Sequence, residues 1–145
     1  MKSIIAILLV FTGFTAMSQS KLNASEINSD WTLLSEKDGV KMYVQKGECQ
    51  MGNVETPFTY GFLKVENTTN TEKHVNFNIN LFYTDGCAGC DNNNGEYASI
   101  TVAPNSSLEG GCSSQNGQLG LLIRNPLQTD YQEFTHLTLN DIKVD

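Results

Sequence analysis

The sequence predicts an all-β protein, an antiparallel sandwich of two sheets with seven or eight strands. Three observations carry that expectation. From Trp31 onward the chain falls into short segments of alternating apolar and polar residues, separated by clusters of Gly, Asn, Asp and Ser at sandwich-like intervals. Helical periodicity is not sustained anywhere after the first 18 residues. The segment His74–Tyr83 supplies the clearest strand signature, because Val75, Phe77, Ile79 and Leu81 alternate with Asn76, Asn78 and Asn80. Asparagine is a poor strand former, so this pattern holds only if the opposite face is buried.

Taken in order, Met1–Ser18 reads as an export signal. Lys2 gives the positive start, Ile4 to Phe11 the apolar run, and Ala16-Met17-Ser18 the small residues of a cleavage site before Gln19. The apolar run is too short to span a bilayer and no second long one follows, so no membrane span is expected. Residues 19–30 are polar and read as a flexible lead. Residues 31–145 then form one domain, since removing 18 of 145 residues leaves a chain the size of a single core. Such a chain buries roughly two-thirds of its unfolded surface and does not depend on disulfides to fold.

Strands are expected at Trp31–Leu34, Val40–Glu48, Phe58–Glu66, His74–Tyr83, Glu96–Val102, Ser107–Cys112, Leu119–Arg124 and Phe134–Val144, the last with a bulge near Asn140. Asp38-Gly39 is a strong hairpin signal. The turns at Glu66–Lys73 and Ala103–Ser106 are rich in residues that tolerate or stabilise reversal. If successive strands run up and down, Cys49, Cys87, Cys90 and Cys112 gather at one pole, with turns around Asp38, Asn70, Asn105 and Asp130 at the other. The aromatic residues on strands, Trp31, Tyr60, Phe62, Phe77 and Tyr97 among them, are expected mostly in the core.

In an oxidising compartment the four cysteines form cystines. Three connectivities are available. Sequence alone does not choose among them: Cys87 with Cys90 as a local loop clip and Cys49 with Cys112 as a tie between strand ends is one expectation, and crossed pairing of Cys49 and Cys112 with Cys87 and Cys90 stands nearly level with it. Cys87-Ala88-Gly89-Cys90 also has the spacing of a thiol oxidoreductase. However, Asp91-Asn92-Asn93-Asn94-Gly95 follows it, which neither starts a helix nor supplies a cation to stabilise a thiolate. Zinc at the same four residues would need reduced thiols outside the cell.

The formal net charge is −7, falling to −8 without Lys2, and no basic block exists, which argues against nucleic acid and anionic lipid as partners. Asp85, Asp91, Asn93 and Glu96 bracket one oxygen-rich loop, a candidate for Ca²⁺. Gly95 falls one place early for an EF-hand and no acid closes the loop, so an ordinary Asx-rich turn is preferred, with no metal or cofactor. The two histidines, His74 and His136, point outward by strand parity. Blue-copper ligation fails because no Met follows Cys112, and no nucleophile elbow marks a hydrolase. Tyr43 takes the outer face of its strand. Beside the Asn76 to Asn80 row it would form a flat sugar-binding face. The strand Trp31–Leu34 is an edge through which two chains could pair.

The stretches Gly61 to Thr69, Val75 to Tyr83, Gly86 to Cys90 and Glu109-Gly110-Gly111-Cys112, together with the leader, resemble small exported immunoglobulin-like β-sandwich proteins of flavobacteria. The resemblance implies an immunoglobulin-like or related Greek-key topology and an envelope location, and it carries no catalytic residue across. The expected function is a secreted or periplasmic, non-enzymatic binding or accessory module whose partner is a protein or glycan at the cell envelope. Thiol-disulfide exchange through Cys87 and Cys90, and glycan binding, are the alternatives.

Overall fold

In the computed structural model, residues 21–88, 90, 96–128 and 132–145 are described. They form ten strands in two antiparallel sheets of five. The first sheet contains β1 (Lys21–Asn23), β5 (Lys73–Tyr83), β6 (Gly86–Ala88), β7 (Glu96–Val102) and β10 (Phe134–Val144). The second contains β2 (Thr32–Lys37), β3 (Val40–Cys49), β4 (Phe58–Asn67), β8 (Ser106–Glu109) and β9 (Gly120–Arg124). The two strands beyond the eight drawn from the sequence are β1 and β6. β6 and β7 share the far edge of β5, and β8 and β9 share the far edge of β4, so each pair fills one column. β1 comes from a stretch expected to be a loose lead.

Alternation decides which side of each strand is buried. Val75, Phe77, Ile79 and Leu81 of β5 are at most 4% exposed, and Val40, Met42 and Val44 of β3 and Leu63 and Val65 of β4 are buried with them in one core. Gly61 lies in the same inward row. A Cβ there would meet Ile123 Cδ1 at 3.2 Å, a tight contact that the Ile123 side chain would have to yield to by a few tenths of an ångström. The Asp38-Gly39 hairpin forms as expected between β2 and β3, with both residues at positive φ (49° and 78°), the conformation a two-residue turn of this hand requires. The expected bulge in β10 is a register shift between Asn140 and Lys143.

Asn67 is fully buried and organises the pole opposite the cysteines. Its Nδ2 donates to the carbonyls of Thr71 (2.7 Å), Val102 (3.1 Å) and Ala103 (3.1 Å), and its Oδ1 accepts from Thr69 N (2.9 Å) and Oγ1 (2.8 Å). Around it, Thr68 N donates to Gly39 O, and Asn105 Nδ2 to Asn70 Oδ1. The turns at Asp38, Asn70 and Asn105 therefore share this pole. Asp130 lies outside the described residues, but its flanks are at the other pole. Arg124 pairs with Thr59 at the start of β4, and Phe134 pairs with Tyr83 at the end of β5. The parity count fails here because β8 and β9 run in the same direction, as two pieces of one column. Gly110 N still bonds Leu63 O at 2.8 Å, and the chain then leaves the column until Gly120 rejoins it opposite Phe62. The Leu119 backbone lies against Gly110 closely enough to exclude a side chain there.

Order was expected to begin at Trp31, yet β1 pairs with β10, and Leu22 and Ile27 are 1% and 4% exposed. Two apolar residues five apart give no period to read, but they cover an edge of the core that β10 leaves open. Leu22→Ala should lower stability by about 2–5 kcal/mol in urea denaturation. A loose lead would show no change.

Candidate functional site

The four cysteines lie at one pole in two bonds, Cys49 with Cys112 and Cys87 with Cys90, whose Cα atoms are 5.5 and 5.7 Å apart. Cys49 is the last residue of β3 and pairs with Phe58, the first of β4. Its parity is opposite to that of Val44, so its sulfur emerges on the outer face of the second sheet. There it holds the excursion between β8 and β9 through Cys112. The bond closes a loop of 63 residues, which constrains the unfolded chain by about 4 kcal/mol on the entropy model. Cys87 pairs with Phe82 near the end of β5, and its bond to Cys90 clips the chain just after β6.

Between the exposed edges of β6 and β9 the two sheets leave a cleft of about 510 Å³. Tyr83, Asp85, Cys87, Arg124, Gln128 and Gln132 line it. The Tyr83 hydroxyl reaches across from one sheet to the other, donating to the carbonyls of Leu122 (3.4 Å) and Ile123 (3.3 Å). The Gln132 amide donates to the Asp85 carboxylate. A second cleft of about 260 Å³ adjoins it, bounded by Lys46, Glu48, Thr59 and Glu133, and Arg124 borders both. The pole thus presents both signs of charge, several amides and a disulfide-bonded cysteine in two adjoining clefts.

Other expected site residues are placed differently. Asp85 takes its partner from Gln132, while Asp91, Asn93 and the Glu96 side chain lie outside the described residues. Among the described residues no group of three or more His, Cys, Asp and Glu is arranged to hold a metal ion. Tyr43 and the Asn76 to Asn80 row do not meet. Tyr43 stands on the outer face of the second sheet and the asparagines on the outer face of the first, so the composite sugar face is not formed. Strand parity gives inward or outward and cannot say which sheet a strand joins.

The aromatics also depart from expectation. Phe77 and Phe134 are in the core, but Tyr97 is 64% exposed, and Trp31, Tyr60 and Phe62 are half-buried on the outer face of the second sheet. There the rings of Tyr60 and Phe62 stack with centroids 5.7 Å apart and planes 3° from parallel, and Phe62 lies against Gly47, where a side chain would not fit. Lys64 Nζ sits 5.7 Å from the Trp31 ring and 5.9 Å from the Tyr43 ring, and pairs with Glu109 at 3.0 Å. The Tyr43 hydroxyl donates to Glu66 at 3.0 Å. Burial, then that bond to a carboxylate, pushes its pKa up. The legible signal was Tyr60, Phe62 and Lys64 sharing one parity on β4, opposite to Leu63 and Val65.

Comparison of the chain with protein-family models, with curated proteins and with solved structures finds no match.

Both histidines face outward as expected. His74 Nδ1 is 2.8 Å from Thr101 Oγ1, and the His136 ring stacks on Phe82 with centroids 4.2 Å apart. Desolvation, with a smaller contribution from the Lys21 charge, lowers the His136 pKa. A base with a lowered folded pKa binds fewer protons folded than unfolded. Its contribution to stability is therefore present above the unfolded value and lost as pH falls through the folded one. In an NMR titration His136 should titrate below 6.5, and Lys21→Ala should move it upward. A midpoint at or above the ordinary histidine value would contradict this stacking.

Proposed function

We propose that the protein is a non-enzymatic binding or accessory module, exported to the periplasm or cell exterior, with its contact surface at the disulfide-stapled pole. The observation that carries this reading is the cleft of about 510 Å³ framed by β6 and β9. Loops held by a rigid sheet scaffold are where such folds keep their sites, and this cleft has the volume of a ligand pocket. An immunoglobulin-like or related Greek-key arrangement of the two sheets belongs to the same proposal. The leader Met1–Ser18 and the two cystines support an oxidising compartment. The mixed charge and amide lining suits a protein or glycan partner at the cell envelope.

Thiol-disulfide exchange is the second reading, because Cys87 lines the cleft. Cys87 lies in a strand paired with Phe82 and not at a helix N-terminus, which removes one source of thiolate stabilisation. Two measurements separate the readings. A redox titration should place Cys87–Cys90 below about −300 mV with no turnover of a disulfide substrate. Envelope capture with the oxidised protein as bait should retain a partner that Gln128→Trp, which fills the cleft, loses. Easy reduction with turnover would favour exchange, and capture unaffected by Gln128→Trp would remove the cleft as the site.

A further inference from the structure

We infer that β7 is a self-association edge, and that two copies of the chain join their first sheets by pairing β7 with β7 antiparallel about a two-fold axis at Ser99. An edge strand exposes a row of main-chain donors and acceptors, and proteins that stay monomeric blunt such rows. Most edges in this molecule carry a blunting device. β1 and β6 are three residues long and β8 is four. β2 has a register shift between Leu33 and Ser35, which spoils the edge that the sequence suggested for dimerisation. β9 is shifted beside Thr59 and Tyr60 and is capped by the Tyr83 hydroxyl. The part of β10 beyond β1 is shifted after Asn140, and Lys37 Nζ bonds Ile142 O at 2.7 Å.

β7 has none of these. Its seven residues pair with β5 in unbroken register, from Val102 opposite Lys73 to Glu96 opposite Ile79. It contains no Lys, Arg, Pro or Gly. Among the described residues, no backbone hydrogen bond outside the β5 ladder involves it, and the one side-chain bond to its backbone is from Asn67 Nδ2 to Val102 O at its end. The outward side chains on either side of Ser99 lean back over their own sheet. The Tyr97 hydroxyl donates to Asn76 Oδ1 at 3.0 Å, and Thr101 Oγ1 meets His74 Nδ1 at 2.8 Å. These two side chains therefore do not cover the edge, and among the described residues the neighbours of β7 beyond β5 are β4, β8 and the 3-10 turn Ser114–Leu119, none of which bonds its backbone along Glu96–Thr101.

A second copy fits this edge better than a generic extended peptide because the sequence is complementary to its own reverse. Ser99 is the central residue of β7. Pairing about it sets Tyr97 opposite Thr101 of the partner subunit, an aromatic with a β-branched residue, which is a favourable cross-strand pair. Ala98 falls opposite Ile100 of the partner subunit, extending the inner face. Glu96 falls opposite Val102 of the partner subunit, so no like charges face one another. The contact is isologous and closes at two copies. It lies on the β7 part of the β5 edge, away from the cleft beside β6, and does not depend on the proposed binding role.

Sedimentation of the full mature chain tests it, together with two variants at an exposed position that packs against nothing in the core. Wild type should show a concentration-dependent monomer–dimer equilibrium, with amide exchange at 97–101 slowing as dimer forms. Ser99→Lys and Ser99→Asp place like charges face to face and should each be monomeric with unchanged thermal unfolding. Their equimolar mixture should form a one-to-one heterodimer. A wild type that stays monomeric at every concentration, or a Ser99→Lys protein that dimerises as wild type does, would overturn the proposal. A mixture that fails to associate would overturn the two-fold register at Ser99.

Discussion

Burial of the Val75, Phe77, Ile79 and Leu81 row is the constraint on which the rest of the structure depends. β5 pairs with β10 on one side and with β6 and β7 on the other, so it is the one strand that holds the first sheet together. Each of these side chains contributes roughly 1.5–3 kcal/mol by leaving water, enough to keep Asn76, Asn78 and Asn80 in an extended backbone they do not favour. The asparagines are thereby set on the outer face in a row, where Asn78 and Asn80 lie beside Asn140 and Thr138 of β10. The same alternation in β3 and β4 builds the opposing wall and leaves Tyr43, Tyr60, Phe62 and Lys64 outside it.

The two ends of the sandwich are closed by different physics. At one, Asn67 replaces a hydrophobic plug with five hydrogen bonds in a buried site, and three turns lock together through short polar contacts. A fully satisfied buried amide of this kind specifies one arrangement of its loops, because any other leaves donors and acceptors unpaired. At the other end, connections are held by covalent bonds, and the two clefts open there. Cystines fix the positions of chain segments without filling the space between them. The Asn67 pole has a concavity as well, of about 310 Å³ beside Glu66, Thr68 and Asn105, so neither kind of closure fills its end completely.

Much of this was legible in the sequence, and particular residues show where legibility stops. The strand at Val75, the Asp38-Gly39 turn and the β10 bulge announce themselves through period and turn chemistry, which are local. The shared pole of the cysteines followed from counting reversals. The flanks of Asp130 were misplaced because β8 and β9 are one interrupted column, which the chain leaves after Gly110 and rejoins at Gly120, and parity counts two such pieces as two reversals. Leu22 gave no signal because its burial depends on the unpaired edge of β10, more than a hundred residues away. Tyr43 and the asparagine row share a direction relative to their own strands but belong to different sheets, a fact of topology that parity does not contain. The clefts are likewise a property of two sheet edges brought together, with no motif in either strand.

The most direct test of the β5 constraint is a comparison of urea unfolding for Phe77→Ala and Asn78→Ser, neighbours on one strand facing opposite ways. The expected result is a loss of about 3–5 kcal/mol for the first and no comparable loss for the second, whose buried Oδ1 has no hydrogen-bond partner to lose among the described residues. Similar losses at both positions would contradict it, since the alternation would then not be what holds the sheets together.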